Sequence, residues 1–227
     1  MRKLLVTAFV SLDGVMQAPG GPEEDPTGGF RYGGWTFNYF DDAVGNVMGG
    51  IFNEPYELLL GRKTYEIFAA HWPYQKDDPF AAALTNVKKY VVTSSRAPLA
   101  WNNSVAIHDV ANDIVRLKRE VGPTLMTQGS SELIQALLKH DLVDRFTLLV
   151  FPLVLGQGKR LFGEGTIPGG LKLLDAKTSP SGVAISTYER AGAIKPGSFA
   201  ADKPSAKELA RRERMKQGGL KARVSDS

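Results

Sequence analysis

Apolar residues in this chain fall into short runs separated by polar, Gly- and Pro-bearing breaks. Lys3 to Val10, Leu58 to Leu60, Lys89 to Thr93, Thr124 to Thr127 and Asp144 to Phe151 each have the length and β-rich composition of a strand inside a covered sheet. Ser104 to Ile107 reads as a further short strand. Between these runs the period changes to helical. Phe37, Phe40, Val44, Val47 and Met48 form a stripe that predicts a helix from Trp35 to Asn53, although Gly45, Gly49 and Gly50 weaken it. Tyr65, Phe68 and Ala69 mark the next helical face, after Gly61. Ala81 to Asn86, Val110 to Glu120 and Glu132 to His140 are predicted helices, the second closed by Gly122-Pro123. Leu171 to Ala176 and Gly182 to Glu189 flank Ser179-Pro180-Ser181-Gly182 as a closing antiparallel pair. Strands and helices that alternate early and end in a hairpin predict an α/β fold. Its sheet has about eight strands, mainly parallel, with an antiparallel edge.

Two stretches break the pattern. From Val15 to Gly34 the chain is rich in Gly and Pro, a long loop of the kind that serves as a lid or is a disordered insert. From Ala193 onward large apolar residues almost vanish. Ser205-Ala206-Lys207-Glu208 matches a capping box whose helix would run to Gln217, and a helix that short with one apolar residue on its face predicts a mobile tail. The expected organisation is one domain over residues 1–192 and a basic tail over 193–227.

Charge follows the same division. Of 28 Lys and Arg residues nine lie from Ala193 to Ser227, with four of the 24 acids, which leaves 19 basic and 20 acidic residues before that point. The domain is near neutral, so its partner need not be a polyanion. The tail has charge but only Phe199 for base stacking, which makes nucleic-acid binding a poor second reading. The absence of Cys excludes disulfides and thiolate chemistry, and His71, His108 and His140 lack ligand spacing, so no metal is expected. The apolar run that starts the chain is cut short by Ser11, Asp13 and Gly14, and no run approaches a membrane span; the expectation is a cytoplasmic protein.

The candidate chemistry lies just after three strands. Gly61-Arg62-Lys63-Thr64, Thr93-Ser94-Ser95-Arg96 and Gly129-Ser130-Ser131 are turns rich in hydroxyls, cations and glycine, at the edge where open parallel sheets bind ligands. One such turn is commonplace. Three could clasp a ligand with several phosphates. Asp41 and Asp42, on the helix after the long loop, are candidate proton donors, and Asp13 is a third candidate that could instead hold its turn. Trp35, Phe37 and Tyr39 could stack on a flat substrate or belong to the core.

Taken in order, Ser11-Leu12-Asp13-Gly14, Leu60-Gly61-Arg62-Lys63-Thr64-Tyr65, Val92-Thr93-Ser94 and Gly129-Ser130 resemble the dihydrofolate-reductase-like superfamily. Leu142-Val143-Asp144 and the run from Pro152 to Phe162 are similar to its RibD C-terminal-domain branch, named for the reductase domain of riboflavin biosynthesis. The resemblance covers about Met1 to Arg190. It implies an NADPH-dependent oxidoreductase that passes a hydride to a small heterocycle, often as a homodimer. By position Gly61 to Thr64 and Gly129 to Ser131 would meet the pyrophosphate, Thr93 to Arg96 the adenosine end, and Ala8 would border the nicotinamide. Arg62 and Arg96 would favour NADPH over NADH. Gln128 replaces the substrate-binding Glu of the riboflavin reductases, which leaves a ribosylated pyrimidine doubtful and a non-catalytic nucleotide-binding protein as the competing reading.

Overall fold

The computed structural model describes residues 1–164, 166–200 and 203–225, and the side chains of these up to Gln217. Within Met1–Ala193, which forms one compact unit, the elements in order are β1 (Leu4–Ser11), α1 (Asp42–Asn53), β2 (Tyr56–Gly61), α2 (Arg62–His71), α3 (Pro79–Asn86), β3 (Lys89–Val92), β4 (Ser104–Ile107), α4 (Val110–Arg119), β5 (Thr124–Gln128), α5 (Ser131–Lys139), β6 (Arg145–Phe151), β7 (Leu171–Thr178) and β8 (Ala184–Arg190). The eight strands form one sheet in the order β4-β3-β2-β5-β1-β6-β8-β7. From β4 to β6 every pairing is parallel; β8 returns antiparallel to β6, and β7 antiparallel to β8. The central strands are apolar on both faces because each face carries a packed layer. Leu4, Val6 and Ala8 point into one, with Ile134 and Leu137 of α5, while Leu58 and Leu60 point into the other, with Val44 and Met48 of α1.

The edge hairpin obeys a different rule. β7 is exposed along its whole length, Leu171, Leu173 and Leu174 included. Nothing among the described residues covers that edge.

One charged residue is buried at a strand start. Lys89 has no exposed surface; its Nζ donates to the carbonyls of Thr85, Val87 and Asn102 at 2.8 to 3.1 Å and lies 4.2 Å from the centre of the Trp101 ring. Three carbonyl dipoles and an aromatic face replace the water that the ammonium loses.

The expected helix from Trp35 is shorter at its start. Residues 35–40 form turns, with a single 3₁₀ turn at Phe37–Tyr39, and α1 begins only at Asp42. Asp41 decides the start: its carboxylate accepts from the Val44 N–H at 2.9 Å, an N-cap that needs non-helical backbone at the capping residue.

Ile194–Ser227 is a separate compact unit. Its helix, α6 (Ala206–Ser225), continues past Gln217 and through Gly218-Gly219, farther than the sequence predicts. The Ser205 hydroxyl accepts from the Glu208 N–H at 3.2 Å as the capping box requires. Ala201, Asp202, Asp226 and Ser227 of the tail lie outside the described residues.

Candidate active site

A cavity of about 850 Å³ follows the carboxyl edge of the parallel strands. All three turns reach it. Gly61, Arg62, Lys63 and Thr64 line it after β2; Thr93, Ser94 and Ser95 after β3; Gln128, Gly129, Ser130 and Ser131 after β5. The first and third turns are joined directly, since the Ser130 hydroxyl accepts from the Gly61 N–H at 3.0 Å. Gly129 and Ser130 are both left-handed, with φ of 67° and 62°, and α5 starts at the next residue. A serine in that conformation is strained unless its surroundings hold it, and the bond to Gly61 does so. Two helix N-termini, of α2 and α5, thus open on one cavity beside Arg62. That donor set suits an anion.

The long loop forms the opposite wall. Met16, Gln17, Ala18, Pro19, Gly20, Glu24 and Asp25 all line the cavity, together with Lys159 from the segment after β6. The loop is ordered by a polar hub. The buried Asp25 carboxylate accepts from Lys63 Nζ and Lys159 Nζ, each at 2.8 Å, and also from the Thr27 N–H and hydroxyl. Burial opposes ionisation of this carboxyl, but the hydrogen bonds from Lys159, Lys63 and Thr27 outweigh it and hold its pKa far below the usual carboxylate range. Gln17 is equally committed. Its amide donates to the Asp25 and Thr27 carbonyls at 2.9 Å, its Oε1 accepts from the Lys159 N–H, and its own carbonyl accepts from the Trp35 indole at 2.8 Å.

Glu24, one residue away, is in the contrary situation. It is half-buried on the cavity wall, and its Oε2 accepts from the Gly20 N–H at 2.6 Å. Burial raises its pKa, more than the Gly20 and Gly21 N–H groups lower it, and the neighbouring Asp25 charge adds to the rise. A carboxyl that keeps its proton at higher pH is what a proton donor needs.

The acids expected from the sequence lie elsewhere. Asp41 caps α1, and its second oxygen accepts from the Ser181 N–H at 2.9 Å; the Val44 and Ser181 bonds hold its pKa at about 2, the wrong direction for a donor. Asp42 is exposed in the first turn of α1. Neither lines the cavity. Asp13 straps two segments together: its carboxylate accepts from the Ser11 hydroxyl and from the Leu155 and Gly156 N–H groups, which overcome the burial that raises its pKa and bring it to about 2. Its alternative role, holding the turn, is the one its contacts support.

Three more expectations shift. Ala8 faces the core in mid-strand, and its neighbour Phe9 lines the cavity, because side chains alternate along β1. Trp35 is buried edge-on against Phe151 and donates to Gln17, so it anchors the loop and is absent from the cavity wall. The aromatic residues on that wall are Phe9, Phe68 and Trp72. Arg96 is exposed off the cavity, and His108, at the end of β4, lines it. Glu24, Lys159 and His108 escaped the sequence reading. Lys159 and His108 reach the site through contacts distant in sequence, Glu24 is one carboxylate among several in its loop, and none sits in a recognisable turn.

Among the described residues no group of His, Asp and Glu is placed to hold a metal ion, and no helix is long and apolar enough to cross a membrane. Two proteins of Bacillus subtilis, uncharacterized YyaP and uncharacterized YwjB, are 26% and 28% identical to this chain, over 82% and 78% of it and 94% and 91% of their own lengths. Solved structures with the same fold include a protein from Shewanella sp. PV-4 described as a putative riboflavin biosynthesis protein (TM-score 0.54, 19% identity, 83% of this chain and 99% of that one). A pyrimidine reductase-like protein of Corynebacterium diphtheriae (0.55, 13%, 84% and 92%) and the dihydrofolate reductase of Enterococcus faecalis complexed with NADP(H) (0.53, 15%, 83% and 96%) share it too. The model of the RibD C-terminal domain matches residues 2–185, and the chain belongs to that family.

Proposed function

We propose that this protein is an NADPH-dependent reductase that transfers a hydride to a small heterocyclic substrate. The observation that carries the reading is the convergence of three phosphate-suited turns and one half-buried acid on a single cavity. In this reading the N-termini of α2 and α5, with Arg62 and the Thr64 and Ser131 hydroxyls, hold the pyrophosphate, and Thr93 to Ser95 face the adenosine end. The bound nicotinamide supplies the hydride. Phe9, Phe68 and Trp72 give a flat ring an apolar seat, and the Met16–Asp25 wall, held shut by Asp25, keeps water away from it. Glu24 gives its proton to the ring nitrogen next to the carbon that is reduced and regains one from water after the products leave. Glu24 takes the role that the sequence suggested for Asp41, Asp42 and Asp13.

The test is a titration of the purified protein with NADPH and NADH, which follows energy transfer from tryptophan to the nicotinamide, and then a panel of pterins and pyrimidinones as acceptors. Saturable NADPH binding with turnover of a panel member is the expected result. Binding without turnover would favour the non-catalytic reading, and no binding would end both.

A homodimer belongs to the same proposal. The uncovered β7 edge, with Leu171, Leu173 and Leu174 exposed, would be shielded by a second copy. Light scattering of the wild type and of Leu173→Glu checks this; a wild-type monomer would remove the dimer from the proposal.

A further inference from the structure

We propose that Asp25 is a positioning residue that acts through Glu24: by holding the ammonium groups of Lys63 and Lys159 it keeps their charge off the neighbouring acid and so leaves Glu24 its proton; the inference rests on the role proposed for Glu24 above. The two carboxyls are consecutive in the chain, and both line the cavity together with both lysines. The donors are divided unequally between them. Asp25 takes Lys63 Nζ on one oxygen and Lys159 Nζ on the other, each at 2.8 Å, and the Thr27 N–H and hydroxyl reach it as well. Glu24 folds back on its own turn instead. Its Oε2 accepts from the Gly20 N–H at 2.6 Å, and among the described residues it has no ion pair, although two ammoniums are bound one residue away.

An ammonium within a few Å favours the charged form of a carboxyl, and a carboxylate at the same range favours the neutral form. Two unpaired ammoniums beside Glu24 would therefore draw off its proton. Paired, each faces a carboxylate at contact, and the two fields oppose one another at Glu24. The remaining charges on the wall are matched as well. Arg62 donates to Glu66 at 2.6 Å, Glu132 of α5 supports the charge of Lys63, and His108 bonds to the Thr93 carbonyl at the end of β4. Glu23, the other chain neighbour, is exposed. What then acts on Glu24 is its half-burial and the Asp25 charge, both of which favour the neutral acid, against the Gly20 and Gly21 N–H groups. Asp25 itself stays ionised at every working pH, because its donors outweigh its burial, so the division of charge does not titrate away.

Asp25→Asn keeps the shape and an acceptor oxygen for Thr27 but leaves both lysines without a counter-charge. The experiment follows the Glu24 carboxyl carbon by NMR through a pH titration of the ligand-free protein, with the signal assigned by its loss in Glu24→Gln. It compares the wild type, Asp25→Asn, and Asp25→Asn combined with Lys63→Met and Lys159→Met, and the thermal midpoint checks that each is folded. The Glu24 midpoint is expected to fall by about one pH unit in Asp25→Asn, about a tenfold loss of proton affinity, and to return most of the way in the triple variant. An unchanged midpoint in Asp25→Asn, or a fall that persists without the lysines, overturns the inference. If Asp25→Asn does not fold, Lys159→Met alone takes its place: with one ammonium fewer the Glu24 midpoint is expected to rise by about half a pH unit, and no change or a fall overturns the inference. On an acceptor that is turned over, the pH above which kcat declines should move down in Asp25→Asn with the Glu24 midpoint, because the acid must be protonated to act. A midpoint that moves while the kcat limb stays put would instead remove Glu24 as the donor, and a wild type that binds neither NADPH nor NADH would end the cofactor reading; both results are distinct from a failed titration.

Discussion

The loop from Leu12 to Gly34 and the tail from Ile194 look alike as sequence: both carry Gly, Pro and charge and few large apolar residues. As structure they diverge. The loop buries Val15, Met16, Gln17, Ala18 and Phe30 and spends its polar groups on fixed partners, whereas Leu209 and Met215 of the tail helix are exposed and its ion pairs, Glu208 with Arg211 and Arg212, are local. Composition does not separate a loop fixed by distant partners from a helix whose contacts are local; what matters is whether each polar group finds a partner on a scaffold that is already folded. Lys63 belongs to α2 and Lys159 to the segment after β6, and Asp25 has nothing to bind until the sheet brings them together.

The sharpest way to break the contrast is Asp25→Ala. It removes the shared acceptor of Lys63, Lys159 and Thr27, and a loss of about 3 kcal/mol is expected by urea unfolding, with cleavage by trypsin within the loop. Acid should imitate the substitution. Because the folded-state pKa of Asp25 is depressed, its contribution is complete above the unfolded value of about 4 and is lost as pH falls through the folded value, so loop protection in hydrogen exchange should persist at pH 5 and fail only in stronger acid.

Gly33→Ala comes next. A Cβ there would lie 2.5 Å from the Gly21 carbonyl oxygen and 2.7 Å from Pro22 Cα, backbone that cannot yield cheaply. About 1–3 kcal/mol of destabilisation is expected by thermal unfolding; an unchanged midpoint would show that the loop does not hold this packing. Trp35→Phe removes the indole donor from the Gln17 carbonyl but keeps most of the packing on Phe151, and about 1 kcal/mol is its expected cost.

Glu24→Gln should separate stability from chemistry. The raised pKa means that ionising Glu24 costs folding free energy as pH rises above the unfolded value, so the neutral glutamine should leave the protein at least as stable at pH 7. On any acceptor that is turned over, kcat is expected to drop on the order of 100-fold with NADPH affinity unchanged; an unaltered rate would free Glu24 from the proposed role. The smallest effect is expected from truncation after Ala193, which should move the thermal midpoint of the domain by no more than about 1 °C.

The apolar runs and their period were enough for the strands, the helices after them, the parallel order implied by their alternation, and the three turns that line the cavity. Those features depend on contacts near in sequence: two-sided burial marks a central strand, and Gly-hydroxyl turns mark the strand-to-helix junctions. The surroundings of Glu24 and Asp25, and the partners that fix their loop, were not readable. Asp41 and Asp42 lie inside the helix expected from Trp35, and the later start that the fold adopts is what uses Asp41, through the Val44 and Ser181 N–H groups. Glu24 and Asp25 are indistinguishable as neighbouring carboxylates in a loop. Only the tertiary structure places two lysines on one and leaves the other half-buried beside the cavity, and desolvation and ion pairing then drive their proton affinities in opposite directions.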